Sequence, residues 1–107
     1  MQRGDLYRIR KPKGDSKESR VFVVVSREAL LKTSFPTVVC APVYTAGEGL
    51  STQVRVGLSE GLKHPSWIMC DNLTSQRRAD LTDFVGSLAS SRLGELNLAL
   101  RSALDLG

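Results

Sequence analysis

The sequence predicts a small antiparallel β-barrel or half-barrel with one amphipathic helix at its C-terminal end. Three observations carry that expectation. Five or six short stretches rich in Val, Ile, Thr, Tyr, Phe and Trp are separated by connections of Gly, Pro, Asp and Ser. After Leu88 the apolar spacing changes from that of a strand to that of a helix. The 107 residues, 41% hydrophobic and 24% charged, suit one globular domain spanning 1–107 with a modest core.

The elements follow in order. Asp5-Leu6-Tyr7-Arg8-Ile9-Arg10 alternates apolar and polar from Leu6, the pattern of a half-buried strand. Lys11 to Ser19 contains Pro12, Gly14, Asp15 and Ser16 and no large apolar residue, and is expected to be a mobile polar loop. Arg20 opens Val21-Phe22-Val23-Val24-Val25, whose unbroken apolar run implies a central strand buried on both faces. Ser26 is placed to cap a short helical turn through Lys32. Thr37 to Val43 is a further strand, with Pro42 expected to put it at an edge or to end it. Tyr44 to Leu50, holding Gly47 and Gly49, is a loop. Thr52 to Leu58 alternates, with Val54, Val56 and Leu58 inward. Trp67-Ile68-Met69-Cys70 and Phe84 to Leu88 are the last two strands. Leu93, Leu96, Leu100, Ala103 and Leu104 form one stripe on a helix of about 14 residues, starting at Ala89 or Ser90. Gly94 weakens its first turn.

Composition excludes several function classes. No apolar run approaches the ~20 residues of a membrane span, and Met1 to Asp5 lacks the apolar stretch of a secretory signal. A cytoplasmic protein is expected. Cys40 and Cys70 cannot build a disulfide framework or a four-ligand zinc site, and they read as reduced core residues. His64, the single histidine, lies in a loop-like Lys63-His64-Pro65-Ser66, where a solvated role is expected. No glycine loop of Walker or dinucleotide type is present, and no carboxylate cluster, so neither a cofactor nor a metal is implied.

The formal net charge is +4, and seven of the first 20 residues are Lys or Arg. A second basic pair is Arg77-Arg78. This distribution suits a polyanionic partner, although a solvated surface looks the same. Arg20 is the sharper signal. A guanidinium at the start of a buried strand is held at the rim of the sheet, where it can stabilise a phosphate or a phosphorane. Asp71, leaving the Trp67 strand, is placed either to accept a proton or to cap a turn. Tyr44-Thr45 offers two hydroxyls at a strand end.

Five stretches, in order, resemble the MazF/PemK family of toxins from bacterial toxin–antitoxin pairs. Arg3-Gly4-Asp5-Leu6-Tyr7 looks like that family's opening "RGD(I/V)(Y/W)". Ser19 to Ser26 is similar to "RRPVVVVS", and Thr37 to Val43 to "TVIVAPVTS". Gly61-Leu62 with Ser66 to Leu73 resembles "GL…SVVLCDQIRT". Asp80-Leu81, Gly86-Ser87-Leu88 and the Leu-rich helix complete the match. The resemblance implies an SH3-like barrel, a homodimer and a metal-independent endoribonuclease. Such a toxin cleaves single-stranded RNA by 2′-hydroxyl attack, leaving 2′,3′-cyclic phosphate and 5′-hydroxyl ends, and is held in check by an acidic antitoxin.

The resemblance also assigns residues. Arg20 takes the catalytic arginine position. Thr45, with Tyr44 as the alternative, takes the catalytic hydroxyl position. Asp71 orients Arg20 or accepts the 2′-hydroxyl proton. Tyr44, Lys17, Ser19 and Asn72 fall where RNA is bound, in a groove between the Lys11 to Ser19 and Tyr44 to Leu50 loops. The sequence departs from the family pattern at Val21 for Pro, Met69 for Arg, Asn72 for Gln, and in Asp15-Ser16-Lys17-Glu18, which lacks the usual glycines. Two other functions are compatible with the same fold: a gyrase poison like CcdB, and a non-catalytic SH3-like nucleic-acid-binding module.

Overall fold

The computed structural model describes residues 1–10 and 19–107. Of the expected polar loop, residues 11–18, Lys17 among them, therefore lie outside the described residues, while Ser19 belongs to a strand. The strands are β1 Asp5–Arg10, β2 Ser19–Val24, β3 Thr37–Tyr44, β4 Gln53–Val56, β5 Ser66–Met69, β6 Thr74–Arg77 and β7 Asp83–Ser87. A one-turn helix, α1, spans Glu28–Leu31, and α2 spans Ser90–Ala103.

All seven strands join one antiparallel sheet in the order β4-β5-β3-β2-β1-β7, with β6 also paired to β3. The eight-residue β3 organises it. One edge of β3 pairs with β2, Val21 abreast of Val43 and Val24 of Cys40. The other edge serves two strands, β6 along Thr37 to Cys40 and β5 at Val43 and Tyr44. Pro42 falls in the gap between those partners. That side of β3 is a local edge at Pro42, as the sequence implied, because no neighbour there needs a ladder donor, and the strand ends two residues on at Tyr44.

The curled sheet buries apolar side chains on both faces. Leu6, Val21, Val23, Val43, Val54, Val56 and Ile68 face inward, against Leu96, Ala99 and Leu100 of α2. Tyr7, Val24, Leu31, Val38, Cys40 and Leu81 form a second cluster on the opposite face, beneath α1. This explains the unbroken valine run: β2 has core on both sides.

Two close approaches shape the barrel's far side. Gly61 (φ +89°) lies against the Val85 carbonyl, and Gly86 against the Glu60 carbonyl, where a Cβ would collide. Glu60, 4% exposed, accepts the Gly57 amide at 2.6 Å and sits 3.9 Å from Arg92 of α2.

Several local expectations are corrected. Ser26 does not cap α1. Arg27 holds the N-cap position, and the buried Ser26 Oγ accepts the Val39 amide at 2.8 Å. Leu58 is 80% exposed, not inward, because strand alternation stops at Gly57 and Leu58 to Glu60 is a 3-10 turn. Leu104 lies past the end of α2 and is 53% exposed. Cys70 opens a 3-10 turn after β5. The strand β6, Thr-Ser-Gln-Arg, was not foreseen. It has no apolar alternation and exists through its pairing with β3.

Two predictions follow from the packing. Gly94 is exposed in α2, and an added Cβ meets nothing within 4 Å. Gly94→Ala should raise unfolding free energy by about 1 kcal/mol, read as a melting temperature about 4 °C higher. Burial pushes the Cys40 thiol up to about 12 and the Cys70 thiol, with help from Asp71, up to about 11. Both thiols stay protonated at pH 8, so Ellman's reagent should label neither in the native protein and both after denaturation.

Candidate functional site

Arg20 is the second residue of β2, on the face opposite its neighbour Val21. Alternation makes this unavoidable: with Val21 and Val23 committed to the core, Arg20 and Phe22 point the other way. Its guanidinium carbon lies 4.0 Å from the centroid of the Tyr44 ring, and its Nη1 donates to the Val43 carbonyl at 3.3 Å. A cation–π contact and a carbonyl fix the head of the side chain without adding a negative charge.

Beside it opens a cleft of 220 Å³. Val21, Val43 and Leu62 supply its apolar wall, and Ser19, Thr45 and Ser66 contribute hydroxyl-bearing side chains. Arg8, Arg20, Lys63 and His64 give it a basic lining with no carboxylate among them. Such a concave, cationic surface suits a phosphodiester.

The sequence-selected residues separate into two groups. Arg20, Ser19 and Thr45 come together at this cleft. Tyr44 lies beside it, its ring serving as the platform under Arg20. Thr45, the first residue past β3, lines the cleft. Asp71 and Asn72 do not join. They are the exposed residues of the 3-10 turn Cys70–Asn72, and the Asp71 carboxylate accepts the Thr52 hydroxyl at 2.7 Å.

His64, read from sequence as a solvated loop residue, is exposed and also lines the Arg20 cleft. Lys63 arrives with it. Their connection returns to the Val43 end of β3 through β5 pairing, a long-range relation that local spacing does not reveal. Conversely, Arg78 serves the fold: it donates to the carbonyls of Phe35, Leu31 and Leu30, tying β6 to the end of α1. Arg77 is bound to Asp80 through two hydrogen bonds.

Among the described residues, no three His, Cys, Asp or Glu side chains converge as metal ligands do. No helix among them is long and apolar enough to cross a membrane.

Comparison with known proteins is consistent across three scales. Residues 2–104 match the family model described as the PemK-like, MazF-like toxin of type II toxin–antitoxin systems. Endoribonuclease MazF3 of Mycobacterium tuberculosis is 33% identical over 89 residues, covering 83% of this chain and 85% of that protein. Among solved structures, the M. tuberculosis toxin MazF-mt6 superposes with a TM-score of 0.83 at 29% identity, over 96% of this chain and 98% of that one. A mycobacterial endoribonuclease in complex with its cognate antitoxin gives a TM-score of 0.84 at 25% identity, over 100% of this chain and 97% of the other.

Proposed function

We propose that this chain, which belongs to the PemK-like, MazF-like toxin family of type II toxin–antitoxin systems, cuts single-stranded RNA at the Arg20 cleft using its own side chains and no metal. The coarse activity follows from that membership and from the MazF3 relative: the chain is an endoribonuclease of the toxin type. The observation that carries the finer reading is the convergence of Arg20, Thr45 and His64 on one basic cleft.

The 2′-hydroxyl oxygen gives up its proton and attacks the adjacent phosphorus, and the bond from phosphorus to the 5′-oxygen breaks, with Arg20 helping that oxygen leave and water supplying its proton. The products are a 2′,3′-cyclic phosphate and a 5′-hydroxyl end. Charge builds on the non-bridging oxygens of the phosphorane, where a prepositioned guanidinium counts for most. Arg20 supplies it, oriented beforehand by Tyr44 and the Val43 carbonyl. Thr45 donates a hydrogen bond to a phosphate oxygen. Ser19, Arg8 and Lys63 hold the flanking backbone, and the family resemblance adds Lys17 and Asn72 as RNA-binding residues. Bases of a single strand are unstacked and open to recognition.

Two groups compete for the proton of the 2′-hydroxyl. Asp71 is favoured by its match to the family's acidic position. His64 is favoured by its place in the cleft, whereas the Asp71 carboxylate is bonded to Thr52. The chain acts as a homodimer, and an acidic antitoxin neutralises the toxin by covering the same basic cleft. An antitoxin complex of a structural relative supports that partner class.

In EDTA, wild type should cut an unstructured RNA to cyclic-phosphate ends, and Arg20→Ala should cut about 100- to 1,000-fold more slowly with unchanged folding. Wild-type cleavage by the variant overturns the assignment. Inhibition of gyrase without RNA cleavage would favour the poison instead.

The proton acceptor is identified by paired variants. With His64 as the base, His64→Ala loses about 100- to 10,000-fold in kcat, and added imidazole restores part of it. With Asp71 as the base, Asp71→Asn shows that loss and imidazole changes nothing.

A further inference from the structure

We infer that Trp67 and Arg55 form a nucleobase-stacking subsite, two strands away from Arg20, that binds an RNA nucleotide flanking the cut. The inference rests on the RNA-cleaving reading and extends its substrate path along the sheet.

The register carries it. Val21, Val43, Ile68 and Val54 lie abreast on β2, β3, β5 and β4 and face the core. One residue along, Arg20, Tyr44, Trp67 and Arg55 lie abreast on the same four strands, with Tyr44 paired to Trp67 and Trp67 to Arg55. By alternation this row faces outward. It repeats one unit twice. Arg20 sits 4.0 Å from the Tyr44 ring centroid, and Arg55 sits 4.9 Å from that of Trp67. Strands lie about 4.8 Å apart, so the second unit begins about 10 Å from the strand bearing Arg20.

The neighbouring loop packs on this unit through its glycines, leaving Trp67 partly exposed. Gly47 packs on the indole so closely that a Cβ would collide with it, and a Cβ on Gly49 would contact its six-membered ring at 3.6 Å. The loop is fixed in turn: the Gln53 side-chain carbonyl accepts the amides of Glu48, Gly49 and Leu50 at 2.9, 3.0 and 3.3 Å. The indole is therefore held rigidly, and the exposed guanidinium of Arg55 forms its outer layer.

A flat ring under a guanidinium favours a base over an acidic peptide. Bases stack on aromatic rings and on guanidinium planes, and the positive charge attracts the phosphate beside them. A carboxylate chain would use the charge but gain nothing from the ring.

Trp67 is the only tryptophan, so its fluorescence reports this surface alone. The full chain is titrated with a mixed-sequence 2′-O-methyl oligoribonucleotide, which cannot be cut by 2′-hydroxyl attack, with its binding followed separately by anisotropy. The fluorescence should be quenched saturably along the same binding curve, and poly-glutamate should leave it unchanged. Trp67→Leu should raise KM for RNA about 5- to 150-fold with little change in kcat, the signature of lost uniform binding. Trp67→Phe should restore most of the affinity. A merely structural Trp67 would disturb the loop beside Thr45 and lower kcat as well. The inference is overturned by oligonucleotide binding without quenching, by wild-type KM in Trp67→Leu, or by quenching with poly-glutamate alone. The first two leave the endoribonuclease reading standing. Failure of wild type to bind or cut any RNA would overturn that reading, and the inference with it.

Discussion

The pairing of β2 with β3 is the constraint on which the rest depends. It sets Val21 against Val43 in the core and puts Arg20 and Tyr44 next to each other outside it. Because strand side chains alternate, one residue of slippage would bury a guanidinium and expose the valine row. Burying that charge without a partner would cost several kcal/mol. The core therefore enforces the position of Arg20, and the candidate site and the fold are specified by one register. The same pairing reaches the cleft's other wall, since β3 passes Val43 and Tyr44 on to β5.

β3 does this by serving two partners on one edge. β6 takes its first half and β5 its end, and Pro42 occupies the handover. Splitting the edge in this way makes the sheet curl, closes the two clusters on opposite faces and brings the loop holding Lys63 and His64 to the cleft beside Arg20. Basic residues from β1, β2 and the β4–β5 connection then meet. Their mutual repulsion is a cost in the free protein, and a phosphodiester or an acidic chain relieves it.

Much of this was legible in the sequence, for identifiable reasons. Strands with their own apolar signature, such as Val21 to Val24 and, one residue out of step with the expected Trp67 to Cys70, Ser66 to Met69, could be read from the sequence, as could the helix from Ser90 to Ala103 with its buried Leu96 and Leu100. β6 could not, because Thr74 to Arg77 becomes a strand only when β3 offers its edge. Ser26 looked like a cap because local chemistry is all a sequence displays; the Val39 amide that claims its hydroxyl lies 13 residues on. Arg20 stood out by its place before a buried strand. His64 did not, since nothing local distinguishes a histidine lining a cleft from one in solvent.

The contacts that hold Arg20 suit the phosphate chemistry proposed for it. A carboxylate partner would fix a guanidinium equally well, but it would cancel the charge the phosphorane needs and would itself repel the substrate. The Tyr44 ring and the Val43 carbonyl hold the guanidinium in place with dipoles and a quadrupole instead. The ordering entropy of a long side chain is then largely met during folding, and the cation remains available when charge develops on the phosphate oxygens. The same cation-on-ring arrangement recurs at Arg55 and Trp67, where the proposed RNA path would continue along the sheet. On this surface the aromatic residues orient the arginines that face outward, while the aliphatic row beneath them holds the barrel together.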